Sequence, residues 1–404
     1  MIAPFNALHA SGEHASEIVA PPYDVVTTDE ARARAAGKPK SFLHVSRAEI
    51  DLPAGTDAHS DEVYSRAAQN LSALIDGGAM VKSARPTYFV YRMHIAGHSQ
   101  TGLACGASLA AYAAGTIHRH ELTRPDKEDD RVKHMAALDA QTGPVLLAYR
   151  PDAALAQVLD DITRRAAAPE IDVTADDGVR HILWAVEDQA SLDNIQRAAD
   201  MLVHLYIADG HHRSAAAARV AKARGETAGR FLAVLFPSDE LFILAYNRVV
   251  RDLGSLSEVE FLARLDEKYI VTPADAPVQP GQPTQIGLCL KSGWRKLERR
   301  DPPSPKAPTE DRIDVALLMS DILKPLLAIK DPRTDPRLDF VGGADVLEKM
   351  AKRVSSGAAA AGFALYPTAM DELMAVADSG EIMPPKSTWF EPKLADGLIA
   401  HLIG

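Results

Sequence analysis

The stretch Leu205-Tyr-Ile-Ala-Asp-Gly-His-His-Arg-Ser214 constrains the fold more than any other part of the chain. Residues 203 to 207 alternate and are rich in β-formers, whereas Ser214 to Arg224 is an Ala/Arg/Lys/Val run with no breaker until Gly225. The period changes there from that of a strand to that of a helix. Gly210 stands at the change and permits a sharp turn. The pattern therefore predicts strand, tight turn, helix, with Asp209, His211, His212 and Arg213 crowded at the helix N-terminus. Free amides and the helix dipole favour an anion at such a place, and a phosphate is the natural occupant. Capping alone would need one side chain, not five special residues in succession.

A chain of 404 residues with 47% hydrophobic content has room for two or three domains with real cores. Its net charge of −11 disfavours nucleic acid as a partner. No apolar run is long enough to span a bilayer, and the first residues lack the basic-then-apolar pattern of a signal peptide. Cys105 and Cys289 are the only cysteines, so no Cys-x-x-Cys site can form. A cytoplasmic protein is expected.

Along the chain, Pro21-Pro22 impose an extended entry that leaves Tyr23 and Asp24 at a bend. Thr27 to Glu30 has a helix-start signature. Strands are predicted at 41–47, 87–95, 101–112, 143–150 and 179–187, with helices at 61–75, 152–167 and 188–202. Residues 231–236 and 241–250 read as a strand and a hairpin partner around Pro237-Ser-Asp-Glu. Thr272 to Thr284 then holds four prolines, which marks a composition change. The domains are accordingly drawn at 1–251, a mixed α/β domain, and 252–404, a smaller α+β domain, giving an α+β fold class. The second is expected to hold helices at 256–267, 312–328 and 344–356 and strands at 269–272, 286–291 and 361–366.

A second chemical concentration runs from Ile117 to His134. Asp126 to Lys133 fits an exposed helix with i to i+4 pairs as well as it fits a site. His118, His120 and Glu121 precede Pro125 in a loop or strand end, where function concentrates. His-x-His-Glu would suit a metal, but further ligands at a recognisable spacing are lacking. Near the C-terminus, prolines stiffen Met383-Pro-Pro-Lys-Ser-Thr-Trp-Phe-Glu-Pro-Lys393, which holds Lys386, Ser387, Thr388 and Lys393 beside two aromatics.

The motifs Pro-Pro-Tyr-Asp-Val-Val, His-Glu-x-Thr-x-x-Asp-Lys-Glu-Asp, Ala-Asp-Gly-His-His-Arg, Asp-Pro-Arg-Thr-Asp and Met-Pro-Pro-Lys-Ser-Thr-x-Phe-x-Pro-Lys occur in this order. Together they resemble the family catalogued as domain of unknown function 1015, from Ala20 to Gly404. The Asp-Gly-His-His-Arg box is similar to the strand-turn-helix box of the ParB and sulfiredoxin fold, whose free-serine kinases bind nucleotide and use magnesium. The resemblance implies a phosphotransferase using ATP or ADP and Mg2+ on free serine or a similar hydroxy compound, in either direction. It assigns Gly210, His211, His212, Arg213 and Ser214 to phosphates and Asp209 to metal or substrate. Asp24 becomes the candidate base, with Glu121 competing. Arg124 and Lys127 add cations for phosphate oxygens. The absence of a Gly-x-x-x-x-Gly-Lys-Ser/Thr loop excludes the commonest nucleotide-binding loop. A non-catalytic nucleotide-binding protein that engages DNA or another partner is the alternative.

Overall fold

The computed structural model describes residues 1–166, 168–225, 229–304, 306–343 and 345–403. Positions 167 and 344, at the ends of two predicted helices, lie outside that set. The structure is mixed α/β in two compact units. One comprises Met1–Arg119, Thr123–Leu241 and Pro392–Gly404; the other comprises His120–Leu122 and Phe242–Glu391.

A nine-stranded mixed sheet forms the spine of the first unit. From one edge its order is Ile117–His118, Leu205–Asp209, Val145–Tyr149, Arg230–Pro237, His98–Ser108, Tyr88–Ile95, Arg180–Val186 and Ile171–Thr174, with Ile2–Ala3 also pairing onto His98–Ser108. The predicted strand of the glycine box is thus an inner strand, parallel to Ile117–His118 and antiparallel to Val145–Tyr149. Leu205, Tyr206, Ile207 and Ala208 are all buried, as an inner strand covered on both faces requires. The helix that follows, His211–Arg224, buries Ala216, Ala217, Val220 and Ala221. These share a core with Val145, Leu147, Ile207, Phe231 and Leu235. Small alanines on that stripe let the helix lie close to the sheet.

A separate four-stranded sheet ties the chain ends together. Ala7–Ala10 lies between Met80–Lys82 and Ile399–Leu402, and Ala140–Gln141 completes the edge. A bridge between Ala20 and Asp396 continues this pairing, so the C-terminal segment runs beside the Pro21-Pro22 bend.

The second unit has a six-stranded antiparallel sheet in the order Tyr269–Ala274, Gly293–Arg299, Gln285–Leu290, Ala361–Leu365, Asn247–Val250 and Leu338–Val341. Phe261, Leu288, Leu297, Leu318 and Phe363 form its main core. Phe242–Leu244 pairs separately with Trp389–Glu391.

Three expectations are corrected. Residues 41–47 hold a short helix, Leu43–Ser46, because every residue from Ser41 to Ser46 except His44 is buried and no solvent face exists for an alternating strand. No hairpin forms around Pro237: Arg230–Pro237 pairs with His98–Ser108 and Val145–Tyr149, and the strands after it join partners far along the chain. The 312–328 helix is broken into Thr309–Arg312, Asp314–Leu318 and a π-turn at Met319–Leu323, with extended backbone at Ile313. By contrast, the Thr27–Glu30 start is a complete capping box.

Candidate phosphate-binding site

Gly210 has φ = +104°, in the left-handed region, and is the N-cap of the His211–Arg224 helix. A Cβ there would lie 3.1 Å from Arg213 Nε and 3.2 Å from Val145 Cα, so the left-handed backbone favours glycine and any side chain would also press on these neighbours. No side chain caps this N-terminus, and the first-turn amides have no partner within the helix. Ser214 departs from its expected role. Its amide donates to Gly210 O at 3.0 Å, its hydroxyl donates to His211 O at 3.0 Å, and the residue is wholly buried, so neither donor is offered to a ligand.

Arg213 lies beneath the turn, 5% exposed. Its guanidinium donates to Pro144 O and stands 3.5 Å from Asp209 Oδ1. Burial disfavours its charge, but Asp209, Asp24, Tyr23 and Asp396 outweigh that and hold its pKa above the ordinary value. Arg213 therefore braces the turn from within. Asp209 Oδ2 accepts from Lys393 Nζ at 3.1 Å, so a cation from the C-terminal segment reaches the strand end.

Asp24 is exposed at the bend after the two prolines. The amide of its neighbour Tyr23 donates to Asp396 Oδ2 at 3.2 Å. Asp396 is 2% exposed, and its other oxygen has no hydrogen-bond partner among the described residues. Burial pushes its carboxyl up to about 7, against the opposing charge of Arg213. Arg131 stacks over the Tyr23 ring, 3.8 Å from its centroid, and pairs with Asp130 at 2.7 Å. Burial opposes ionisation of Asp130, yet Arg131, His59 and Tyr64 hold it down at about 2.

Helix Pro125–Leu138 begins with Pro at its first position and, like the glycine-box helix, has no side-chain cap. Its N-cap residue, Arg124, donates its amide to His212 Nε2 at 3.0 Å. Arg219 fastens the two helices farther along through Glu128 at 3.3 Å and Asp129 at 2.6 Å. Arg124, distant from the glycine box in sequence, thus meets it through its backbone amide, and Lys127 stands exposed in the first turn of the same helix. Arg124 is exposed and forks onto Asp126.

His211 is buried and His212 half-buried. Glu121 belongs to the second unit, as does His120, whose carbonyl accepts from Met383 N at 2.8 Å. The two carboxylates considered as base therefore sit in different units. His118 Nε2 lies 3.0 Å from His204 Nδ1, with its ring stacked on Tyr206. The sequence reading missed Asp396 and the pairing of Lys393 with Asp209. The Pro-Lys motif flagged Lys393, but only a long-range strand return could place it.

Asp209 does not fit a preformed magnesium site, because its two oxygens face two cationic side chains, Lys393 and Arg213. A hard divalent ion takes oxygen ligands and would meet repulsion there.

The family model described as Protein of unknown function (DUF1015) matches residues 2–316. The chain belongs to this family. No curated protein matches it. Among solved structures, this DUF1015 member is similar to a conserved hypothetical protein from Pyrococcus furiosus, at 14% identity and a TM-score of 0.37, over 74% of this chain and 95% of that one. It is also similar to a free serine kinase in complex with AMP, at 15% identity and a TM-score of 0.36, over 71% and 86%. A third is SbnI with C-terminal truncation from Staphylococcus aureus, at 12% identity and a TM-score of 0.40, over 72% and 85%. No helix among the described residues is long and apolar enough to cross a membrane.

Proposed function

We propose that this protein is a small-molecule phosphotransferase that moves a phosphoryl group between ATP or ADP and a hydroxy compound of the free-serine class. One observation carries the reading. The 3.0 Å bond from Arg124 N to His212 Nε2 joins the starts of two helices, neither with a side-chain cap, so two positive dipole ends meet at one place. The side chains of Arg124 and Lys127 stand exposed at the start of one of these helices, Arg124 forked onto Asp126, and Lys393 pairs with Asp209 at the strand end before the other. A nucleotide's phosphates are the ligand that such a place suits.

In this reading the amides of His211 and His212 and the Arg124 and Lys127 side chains hold phosphate oxygens. Gly210 gives the turn its shape, and buried Arg213 fixes Asp209. Phosphoryl transfer needs charge neutralisation, in-line positioning and a carboxylate to take a proton. The acceptor oxygen attacks the terminal phosphorus, the bond to the bridging oxygen breaks, and the hydroxyl proton passes to Asp24. Asp24 is the base of choice because it is exposed on a bend fixed by two prolines and by the Asp396 bond to Tyr23. The strand, turn and helix around Gly210 would be a ParB/sulfiredoxin-like core, and the first unit, which holds most of residues 1–251 together with the C-terminal segment, the nucleotide-binding domain. Magnesium would enter with the nucleotide; no step is assigned to it.

The test is transfer itself. Purified protein with ATP, magnesium and serine should yield phosphoserine by mass spectrometry, and Arg124→Ala and His212→Ala should each lower the rate at least ~10-fold, about 1.4 kcal/mol of lost stabilisation. Full activity in both variants would remove the phosphates from this place. Absence of transfer in either direction, with ATP and serine or with ADP and phosphoserine, would end the reading.

A further inference from the structure

We propose that the first unit carries a second ligand site, for a small carboxylate with an apolar body, in a cavity lined by Arg230. The cavity, of about 310 Å³, has Phe5, Val220, Leu402 and Ile403 on its walls, together with Arg230 and His401. Mostly apolar walls with a few polar groups, at this volume, are what small-molecule sites have in common. The cavity is separate from the glycine turn: Val220 stands about 15 Å along the His211–Arg224 helix from Gly210.

Backbone pairing fixes the walls. Phe5 exchanges both of its backbone bonds with Thr87 at 3.0 Å, Leu402 N donates to Asn6 O at 3.0 Å, and Ile403 N donates to Asp139 O at 3.1 Å. Gln141 spends its side-chain amide on the strand that bears the arginine: Nε2 donates to Arg230 O at 3.0 Å and Oε1 accepts from Leu232 N at 2.6 Å. The arginine stem has a seat of its own. A Cβ on Gly106 would lie 3.0 Å from Arg230 Cδ and 3.4 Å from Phe5 Cβ, so the missing side chain is the space in which the stem lies against the sheet.

The charge of Arg230 is unmatched in this setting. The residue is half-buried, has no ion pair among the described residues, and shares the cavity wall with neither Asp nor Glu. The nearby Asp139 is held by Arg224 at 2.6 Å, and Arg224 also donates to Ile403 O at 2.8 Å. His401 adds a polar edge. Its Nδ1 lies 3.4 Å from Asn6 O and its ring stands edge-on to Phe5, 5.6 Å between centres. Burial holds the imidazole below its ordinary pKa, against the bond to Asn6 and with the charge of Arg230 acting in the same direction. One planar guanidinium matches the two oxygens and the single charge of a carboxylate, and would leave a phosphate dianion half uncompensated. The apolar walls take the body of the ligand.

Calorimetric titration of the full-length protein with benzoate and with its neutral counterpart, benzamide, tests the site. Benzoate should bind at least ~10-fold more tightly, and Arg230→Met, which keeps an apolar stem over Gly106, should erase that advantage. Saturating ADP should leave benzoate affinity unchanged; displacement would put benzoate at the helix starts and overturn the proposal. A second readout fixes the location. The ring signal of His401 in an NMR spectrum, identified by its loss in His401→Asn, should shift with benzoate and hold still with inorganic phosphate. A shift with phosphate and none with benzoate would overturn the carboxylate assignment. The proposal also falls if benzoate does not bind, if benzamide binds equally well, or if the His401 signal does not respond to benzoate. Should Arg230→Met fail to fold, the benzamide comparison and the His401 signal decide.

Discussion

Arg213 and Arg248 are buried to nearly the same degree, at 5% and 2% exposure, and their pKa values move in opposite directions. Arg213 sits among Asp209, Asp24 and Asp396 and is held above its ordinary value. Burial pulls Arg248 down to about 9 against the fields of Tyr246 and Glu121, while its guanidinium donates to two carbonyls. Burial works against the charge of both, and the counter-charges around each decide the direction in which it moves. The difference separates an arginine whose charge the surrounding carboxylates sustain from one whose charge burial works against.

The largest effect should come from breaking the compensated pair. Arg213→Met leaves Asp209 and the Pro144 carbonyl without their guanidinium, and chemical denaturation should show a loss of about 3–5 kcal/mol. Arg248→Met removes a charge that has no ion pair among the described residues and leaves two carbonyls without their donor, so its loss should stay below about 2 kcal/mol. Equal losses would erase the distinction.

Next is pH dependence. Asp396 has its pKa raised on folding to about 7 from an ordinary value near 3.8, so between those values the native state holds a proton that the unfolded state has released. Its contribution to stability is therefore present at low pH and declines as pH climbs from about 4 to about 7, by at most about 4 kcal/mol. Asp314 in the second unit, also pushed up to about 7 by burial, has the same sign. Asp130, held at about 2, has the opposite sign, with its stabilisation lost as pH falls through that value. Asp396→Asn should reduce the decline between pH 4 and 7 by roughly half while leaving the acid limb alone, as read from denaturation at a series of pH values; an unchanged decline would contradict the burial argument.

Gly210→Ala should cost about 1–3 kcal/mol from its left-handed backbone alone, more if Arg213 cannot yield. The smallest expected effect is that of Lys393→Met, near 1 kcal/mol. It carries a sharper signature: with one of the two cations gone from Asp209, magnesium should raise the melting temperature of the variant and not that of the parent.

What the sequence disclosed and what it withheld follow from the range of the interactions. The change of period at Gly210 is local, and strand, turn and helix stand there as the pattern implies. The Thr27 capping box is equally local. The failed hairpin after Pro237 and the helix at Leu43–Ser46 were decided by pairing and burial with distant segments, which no window of neighbours contains. The site divides in the same way. Asp209, His212 and Arg213 are neighbours in sequence, and Arg124 carried a charge-density signal. Asp396 and the reach of Lys393 depend on the C-terminal strand Ile399–Leu402 returning to Ala7–Ala10, a contact between the two ends of the chain. Ser214 shows the converse: the right position in a motif did not leave its hydroxyl free.

The joined helix starts make the most direct demand on experiment. Calorimetric titration of ADP and of adenosine, each against the parent protein and His212→Ala, isolates what the phosphates contribute. The account predicts that ADP binds the parent at least ~10-fold more tightly than adenosine and that His212→Ala removes most of that advantage. Equal affinity for the two ligands, or an advantage that His212→Ala leaves whole, would contradict it.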